Sequence, residues 1–350
     1  MALAAVLLAG LPAHATLPPL PQINAKGVVV WYGYDGSHYQ IYRWDPKTHT
    51  PTNISNNAHD NYNPQINAKG VVVWQEYDGA NTQIYRWDPK THTPTNISNN
   101  AHDNYGPQIN AKGVVVWQGY DGSHFQIYRW DPKTQMAQNI SQSNYTNGNP
   151  QINAKGVVVW QGYAGAYLQI YRWDPKAGAP VNISNNLIDN SYPQINAKGV
   201  VVWIADVGGT VYHIFRWDPK AQTAQMIPVS DPTHDNLEPQ INDQGVVVWE
   251  GWDGAYYQIY RWDPKAATPI NISNSIGSFV PQINAKSVVV WYGNDGAHLQ
   301  IYRWDPKAGA PVNISNNLIH NQAPQINAKG VVVWEGSDGG VYLDGVKIWP

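Results

Sequence analysis

An all-β, eight-bladed β-propeller of four-stranded antiparallel blades is the fold predicted by this chain, on three observations. The segment Pro-Gln-Ile-Asn begins at Pro21, Pro64, Pro107, Pro150, Pro193, Pro239, Pro281 and Pro324, at spacings of 43, 43, 43, 43, 46, 42 and 43 residues. A period of roughly 40–45 residues built from short strands marks a propeller blade. Each copy also carries an apolar run without alternation, Val28-Val29-Val30-Trp31 in the first. Such a run suits a strand buried on both faces, as in a blade held between two neighbours. No segment after residue 20 shows the 3.6-residue apolar period of a helix.

The elements of the first copy follow in order. Gln22 to Asn24 is a short strand, and Ala25-Lys26-Gly27 turns the chain. Val28 to Trp31 is the second strand, closed by the turn signal Tyr34-Asp35-Gly36-Ser37. Gln40-Ile41-Tyr42-Arg43-Trp44 is the third, rich in β formers. Asp45-Pro46-Lys47 ends it, because proline cannot continue an inner ladder. Thr52 to Ser55 is the fourth, and Asn56 to Asn63 is a polar loop leading to Pro64. The eighth copy, Pro324 to Pro350, is compressed: Val341-Tyr342-Leu343, an Asp344-Gly345 hairpin turn and Val346-Lys347-Ile348-Trp349 replace the longer hairpin. Seven blades is the alternative count, in which this last segment overlays the first blade.

The order P-x-h-N-x-x-G-x-V-x-W, then D-G, I-Y-x-W-D and N-I-S, resembles the TolB-type, WD40-like propeller repeat, and also secreted bacterial propellers that repeat PQIN, G-V-V-W and D-G. The resemblance covers 21–350 and implies the fold far more strongly than any activity.

Residues 1–15 read as a truncated secretory signal, apolar through residue 12 and ending in Ala13-His14-Ala15, with 16–20 as linker and 21–350 as the propeller. This predicts an exported protein, periplasmic or extracellular. No stretch is long and apolar enough to span a bilayer. With no cysteine, thiolate metal sites and cysteine nucleophiles are excluded. The net charge of −3 hides an asymmetry. In a four-stranded meander, the first-to-second and third-to-fourth turns share one face, and these hold fourteen of the lysines, from Lys26 and Lys47 to Lys307 and Lys329. The opposite face receives the Asp-Gly turns and the interblade loops, with Glu76, Glu250 and Glu335 ending second strands on that side. The predicted object is a disc with one basic and one acidic face.

The ligand-binding residues are expected on the acidic face, where aromatic rings meet carboxylates: Tyr34, Asp35, Asp60, Tyr62, Tyr77, Asp78, Asp103, Tyr105, Tyr120, Asp121, Trp252 and Asp253. The strand residues Trp31, Trp44 and their copies read as core, and the repeated Arg43/Asp45 pair reads as structural. Each Asp-Gly turn offers a single carboxylate, too few for calcium, so no metal or cofactor is expected. Only the fifth copy breaks pattern. Its insertion Pro228 to Asp235 brings Asp231, His234 and Asp235 near Glu238.

Near-identical blades point to a secreted, non-enzymatic binding or scaffold protein, whose partner is a protein, a cell-surface glycan or an anionic polymer, and not nucleic acid. The alternative is lectin-like carbohydrate binding through the interblade loops. A third reading is a hydrolase or lyase centred on the fifth blade.

Overall fold

The computed structural model describes residues 20–209, 211–229 and 231–349. The expected leader, and all of the linker except Leu20, lie outside the described residues. The rest forms eight sheets of four consecutive antiparallel strands each. The first blade is β1 (Gln22–Ile23), β2 (Val29–Tyr34), β3 (Tyr39–Trp44) and β4 (Pro51–Asn53), and the count runs on to the last blade, β29 (Asn321–Ile326), β30 (Val332–Gly336), β31 (Val341–Leu343) and β32 (Val346–Trp349). First strands of neighbouring blades touch around the axis, and fourth strands lie outside. The eighth segment is a whole blade, as expected; Asp344 and Gly345 both take positive φ, 45° and 87°, as a two-residue hairpin turn of this hand requires.

The core is built at the blade interfaces. Val29, Val30 and Trp31, with their copies, are almost completely inaccessible. Apolar side chains of one blade interlock with the next, as Val30 and Ile41 do with Val72 and Trp74. This explains a valine run without alternation, since both faces of each second strand are covered. In six blades the indole N–H also donates to an asparagine thirteen residues earlier, as Trp74 Nε1 does to Asn61 Oδ1 at 2.8 Å. In the seventh blade that asparagine is Ser278, too short to reach, and Trp291 Nε1 is left without a partner.

One expected loop is strand. The polar connection expected over Asn56 to Asn63 is strand at its end: Asn61–Ile66 is one inner strand with a register shift between Tyr62 and Gln65. The residue before proline carries the bulge. Its φ is positive in all eight copies: Leu20, Asn63, Gly106, Asn149, Tyr192, Glu238, Val280 and Ala323. An inner strand borders the axis and leaves one ladder edge unpaired, so it tolerates both the bulge and the proline.

The repeated arginine is an interblade clamp. Arg86 Nη2 meets Asp88 Oδ2 at 2.6 Å, and its guanidinium lies 5.6 Å from the ring centre of Trp130 in the next blade. Arg86→Ala is expected to cost about 1–2 kcal/mol, and Arg86→Lys about half of that, because lysine keeps the charge without the stacking plane. Urea denaturation of the two variants checks this.

Two devices close the ring without exchanging a strand. Asn24 Nδ2 donates to the carbonyl of Asn67 in the next blade at 3.0 Å, and the same bond recurs at every junction until Asn327 donates to the carbonyl of Asn24 at 3.1 Å. At the seam between last and first blades, Trp349 packs 5.5 Å from Trp31 and 4.2 Å from Tyr42, centre to centre.

Candidate functional site

Second-to-third turns and interblade loops end on one face, as the meander requires. Four of the expected acidic ligands hold their own turns there. Asp35 Oδ1 accepts the N–H groups of Ser37 and His38, both at 2.8 Å; Asp78, Asp121 and Asp253 accept the corresponding pairs. Those backbone donors hold the carboxyls of Asp35, Asp78 and Asp121 below the usual range. Asp60 and Asp103 reach across instead. They accept the N–H groups that open the third strand of the preceding blade, Tyr39 and Thr82, at 2.9 and 2.8 Å.

The tyrosines divide similarly. Tyr34 and Tyr77 are each 48% exposed. Tyr62 is wedged between blades, its ring 5.4 Å from Tyr39 and 5.6 Å from Tyr32. Burial raises its hydroxyl pKa, and Asp60 adds to the effect. Tyr105 and Tyr120 flank Phe125 at 6.0 and 5.4 Å. These residues are spread junction by junction around the disc and do not converge on one point.

Convergence occurs between the fifth and sixth blades. A cavity of about 380 Å³ is lined by Val211, Thr233, His234, Asp235, Trp252 and Tyr257. The inserted loop supplies its polar wall. Asp231 accepts from Thr233 Oγ1 at 2.6 Å, from the Thr233 N–H at 2.8 Å and from His234 Nδ1 at 2.9 Å. The Thr233 hydroxyl, the Thr233 N–H and then His234 lower the Asp231 carboxyl to about 2. An anionic Asp231 requires the proton on Nδ1, so a neutral His234 carries its lone pair on Nε2. Trp252 and Tyr257, 5.2 Å apart edge to face, form the apolar wall. Beneath the loop, His213 replaces the glutamine found there in the other complete blades, and burial lowers its pKa. Thr233 and Tyr257 were missed by sequence reasoning, although the 46-residue period marked the blade.

A second feature lies towards the axis. In five blades the side chain after the core tryptophan accepts the bulge N–H of the next blade, and three of these are glutamines: Gln75 from Gly106, Gln118 from Asn149, Gln161 from Tyr192, at 2.9, 3.1 and 2.9 Å. Glu250 does so from Val280 at 2.5 Å, and Glu335 from Leu20 at 3.1 Å. Counted on the sequence as carboxylates of the acidic face, Glu76, Glu250 and Glu335 are in fact buried. Burial pushes Glu250 and Glu335 up to about 7, with Glu238 reinforcing the shift at Glu250. Tyr292, in the intervening blade, rises to about 12 through burial and the nearby glutamates.

A cleft of about 720 Å³ opens between the fourth and fifth blades and has no carboxylate or histidine in its wall. Among the described residues, no three His, Asp or Glu side chains are grouped to hold a metal ion. Nor, among the described residues, is any helix long and apolar enough to cross a membrane. Lys347, unplaced by sequence, pairs with Asp338 at 2.8 Å.

No family model matches the chain, and no curated protein does. Solved structures match over most of it. Puromycin hydrolase aligns with a TM-score of 0.64 at 10% identity, over 93% of this chain and 58% of its own. Dipeptidyl peptidase 4 of Porphyromonas gingivalis gives 0.63 at 10%, over 90% and 56%. Oligogalacturonate lyase of Vibrio parahaemolyticus gives 0.59 at 12%, over 82% and 89%. The chain thus spans less than three fifths of the length of the two peptidases. At such identity the likeness shows the fold, and these propellers belong to enzymes. The expected non-enzymatic scaffold is corrected on that finding: repetition of the blade is no sign against an enzyme. One junction can depart from the frame while the others keep it, as the fifth and sixth blades do here.

Proposed function

We propose that this protein is a hydrolase of uncharged, hydroxyl-rich substrates, oligosaccharides foremost, with His234 as general base. The observation that carries the reading is the Asp231–His234 pair at 2.9 Å in the wall of a cavity faced by Trp252 and Tyr257. Asp231 fixes the tautomer and steadies the charged imidazolium. His234 Nε2 takes a proton from water as the water attacks, then returns it to the leaving oxygen. Trp252 and Tyr257 offer ring faces to the apolar side of a sugar. Asp235 lines the cavity, Asp231 is bonded behind His234, and no lysine or arginine lines it, so an anionic substrate such as a uronate is disfavoured. The chain has no Gly-x-Ser-x-Gly elbow, which removes the motif support for a serine peptidase. Anionic polymers, expected of the lysine face, would meet the other side of the disc.

The test is turnover of a panel of neutral oligosaccharides and sugar esters. His234→Gln is expected to lower kcat/KM about a hundredfold or more, and Asp231→Asn by a smaller factor in the same direction. Both side chains are partly exposed on a surface loop, so both variants should stay folded. Wild-type activity retained by His234→Gln would overturn the assignment.

A further inference from the structure

A second cavity lies between the third and fourth blades on the same face. It measures about 290 Å³ and is lined by Gln118, Phe125, Thr146, Asn147, Gly148, Asn149, Gln161, Tyr163 and Leu168. Its origin is a single missing side chain. Gly148 pairs with Gln161 in the ladder as Tyr62 pairs with Gln75 and Tyr105 with Gln118. The same position holds Ser191, Leu237, Phe279 and Gln322 in later blades, so only here is there no side chain.

The protein shows what fits such a space. At the first junction the Tyr62 ring fills it, 5.4 Å from Tyr39 and 5.6 Å from Tyr32. Phe125 and Gln118 stand where Tyr39 and Tyr32 stand. Thr146 stands where Asp60 meets the Tyr62 hydroxyl: the Tyr163 N–H donates to the Thr146 carbonyl as the Tyr77 N–H donates to that of Asp60. Gln118 and Gln161 direct their carboxamide oxygens to the Asn149 and Tyr192 N–H groups, leaving their Nε2 donors without a protein acceptor among the described residues. No charged group lines the cavity.

We infer that the Gly148 cavity binds a neutral phenolic ring, such as a tyrosyl side chain, with its face on Phe125 and its hydroxyl on Thr146. Stacking and edge contacts with Phe125 supply the attraction. The missing charge excludes ionised ligands, because nothing would compensate their desolvation. This inference is independent of the His234 reading, since it concerns another junction.

The probe is N-acetyl-L-tyrosinamide, titrated into the full-length protein by NMR, with N-acetyl-L-alaninamide and methyl glucoside as controls. Saturable binding is expected for the tyrosine derivative, at least tenfold tighter than for either control. Gly148→Tyr supplies the ring from within. The new Cβ would meet Gln118 Oε1 at 2.7 Å and Cδ at 3.7 Å, so the Gln118 side chain must swing aside and give up its bond to the Asn149 N–H, and the variant should weaken binding at least tenfold. Phe125→Ala removes the wall without adding bulk and should do the same. Thr146→Val should abolish the preference over N-acetyl-L-phenylalaninamide. No saturable binding to the wild type, equal binding by Phe125→Ala, or methyl glucoside bound as tightly would each overturn the inference.

Discussion

At pH 8, Glu250→Gln is expected to stabilise the protein by about 2–3 kcal/mol, raising Tm by roughly 3–4 °C. Burial lifts the Glu250 carboxyl from its ordinary 4.5 to about 7. Between those values the folded chain holds a proton that the unfolded chain has released. Stability is therefore full below about pH 4.5 and declines as pH rises through 7. Above that, folding must keep an uncompensated carboxylate out of water. Glutamine removes this cost and keeps the bond, because Glu250 needs only one oxygen, for the Val280 N–H, and Gln161 makes the same contact to Tyr192 two blades earlier. Glu335→Gln should gain less. Both of its oxygens accept, from Leu20 N–H and Gln322 Nε2, and an amide would set a donor against one of them. Thermal melts at pH 4.5 and pH 8 check the claim; a Glu250→Gln gain of equal size at both would contradict it.

This pair also shows how far the sequence could be read. The blade, its strand order and the two faces were legible because one pattern is written eight times and each copy corrects the others. Trp31 and Arg43 were legible as structural for the same reason. The inner-strand bulge was not: Asn63-Pro64 looks like a loop ending, and only the geometry at the axis makes it a strand. Glu250 and Glu335 were read as surface acids because a carboxylate normally seeks water. The available signal was their replacement of the Gln75-type residue after tryptophan. Tyr34 and Asp60 are expected as ligands from their place in the loops of one face and the mix of rings and carboxylates there, which cannot tell a carboxylate that meets solvent from one already bound to a backbone N–H group. The Trp252 and His234 neighbourhood depends on the sixth blade setting Trp252, at the end of its second strand, and Tyr257, at the start of its third, against the inserted loop of the fifth, a contact no local spacing announces. Gly148 was visible only as a gap in a column, once the register had set Tyr62 and Tyr105 beside it.

Asn327→Ala is expected to cost about 3–4 kcal/mol and to loosen one junction more than the others. Asn327 is 4% exposed. Its Oδ1 accepts from the N–H groups of Lys329, Gly330 and Val331 at 2.9, 3.1 and 3.1 Å, and its Nδ2 donates to the Asn24 carbonyl at 3.1 Å. Alanine strands these backbone groups where solvent reaches poorly, and each orphaned group costs its desolvation. Asn110→Ala removes equivalent bonds at the third junction, from Lys112, Val114 and to Asn153, and should cost about the same globally. The two variants differ in where the damage goes. The third and fourth blades are joined by the chain itself, whereas every sheet consists of consecutive strands, so the eighth blade is tied to the first only by side chains and backbone contacts. Opening at that seam breaks the fewest bonds and is the lowest sub-global opening of the ring. Hydrogen exchange should therefore accelerate in Asn327→Ala mainly for β1, β2, β29 and β30, and in Asn110→Ala only in step with global unfolding. Equal exchange patterns in the two variants would mean that the seam is no weaker than a covalently continuous junction.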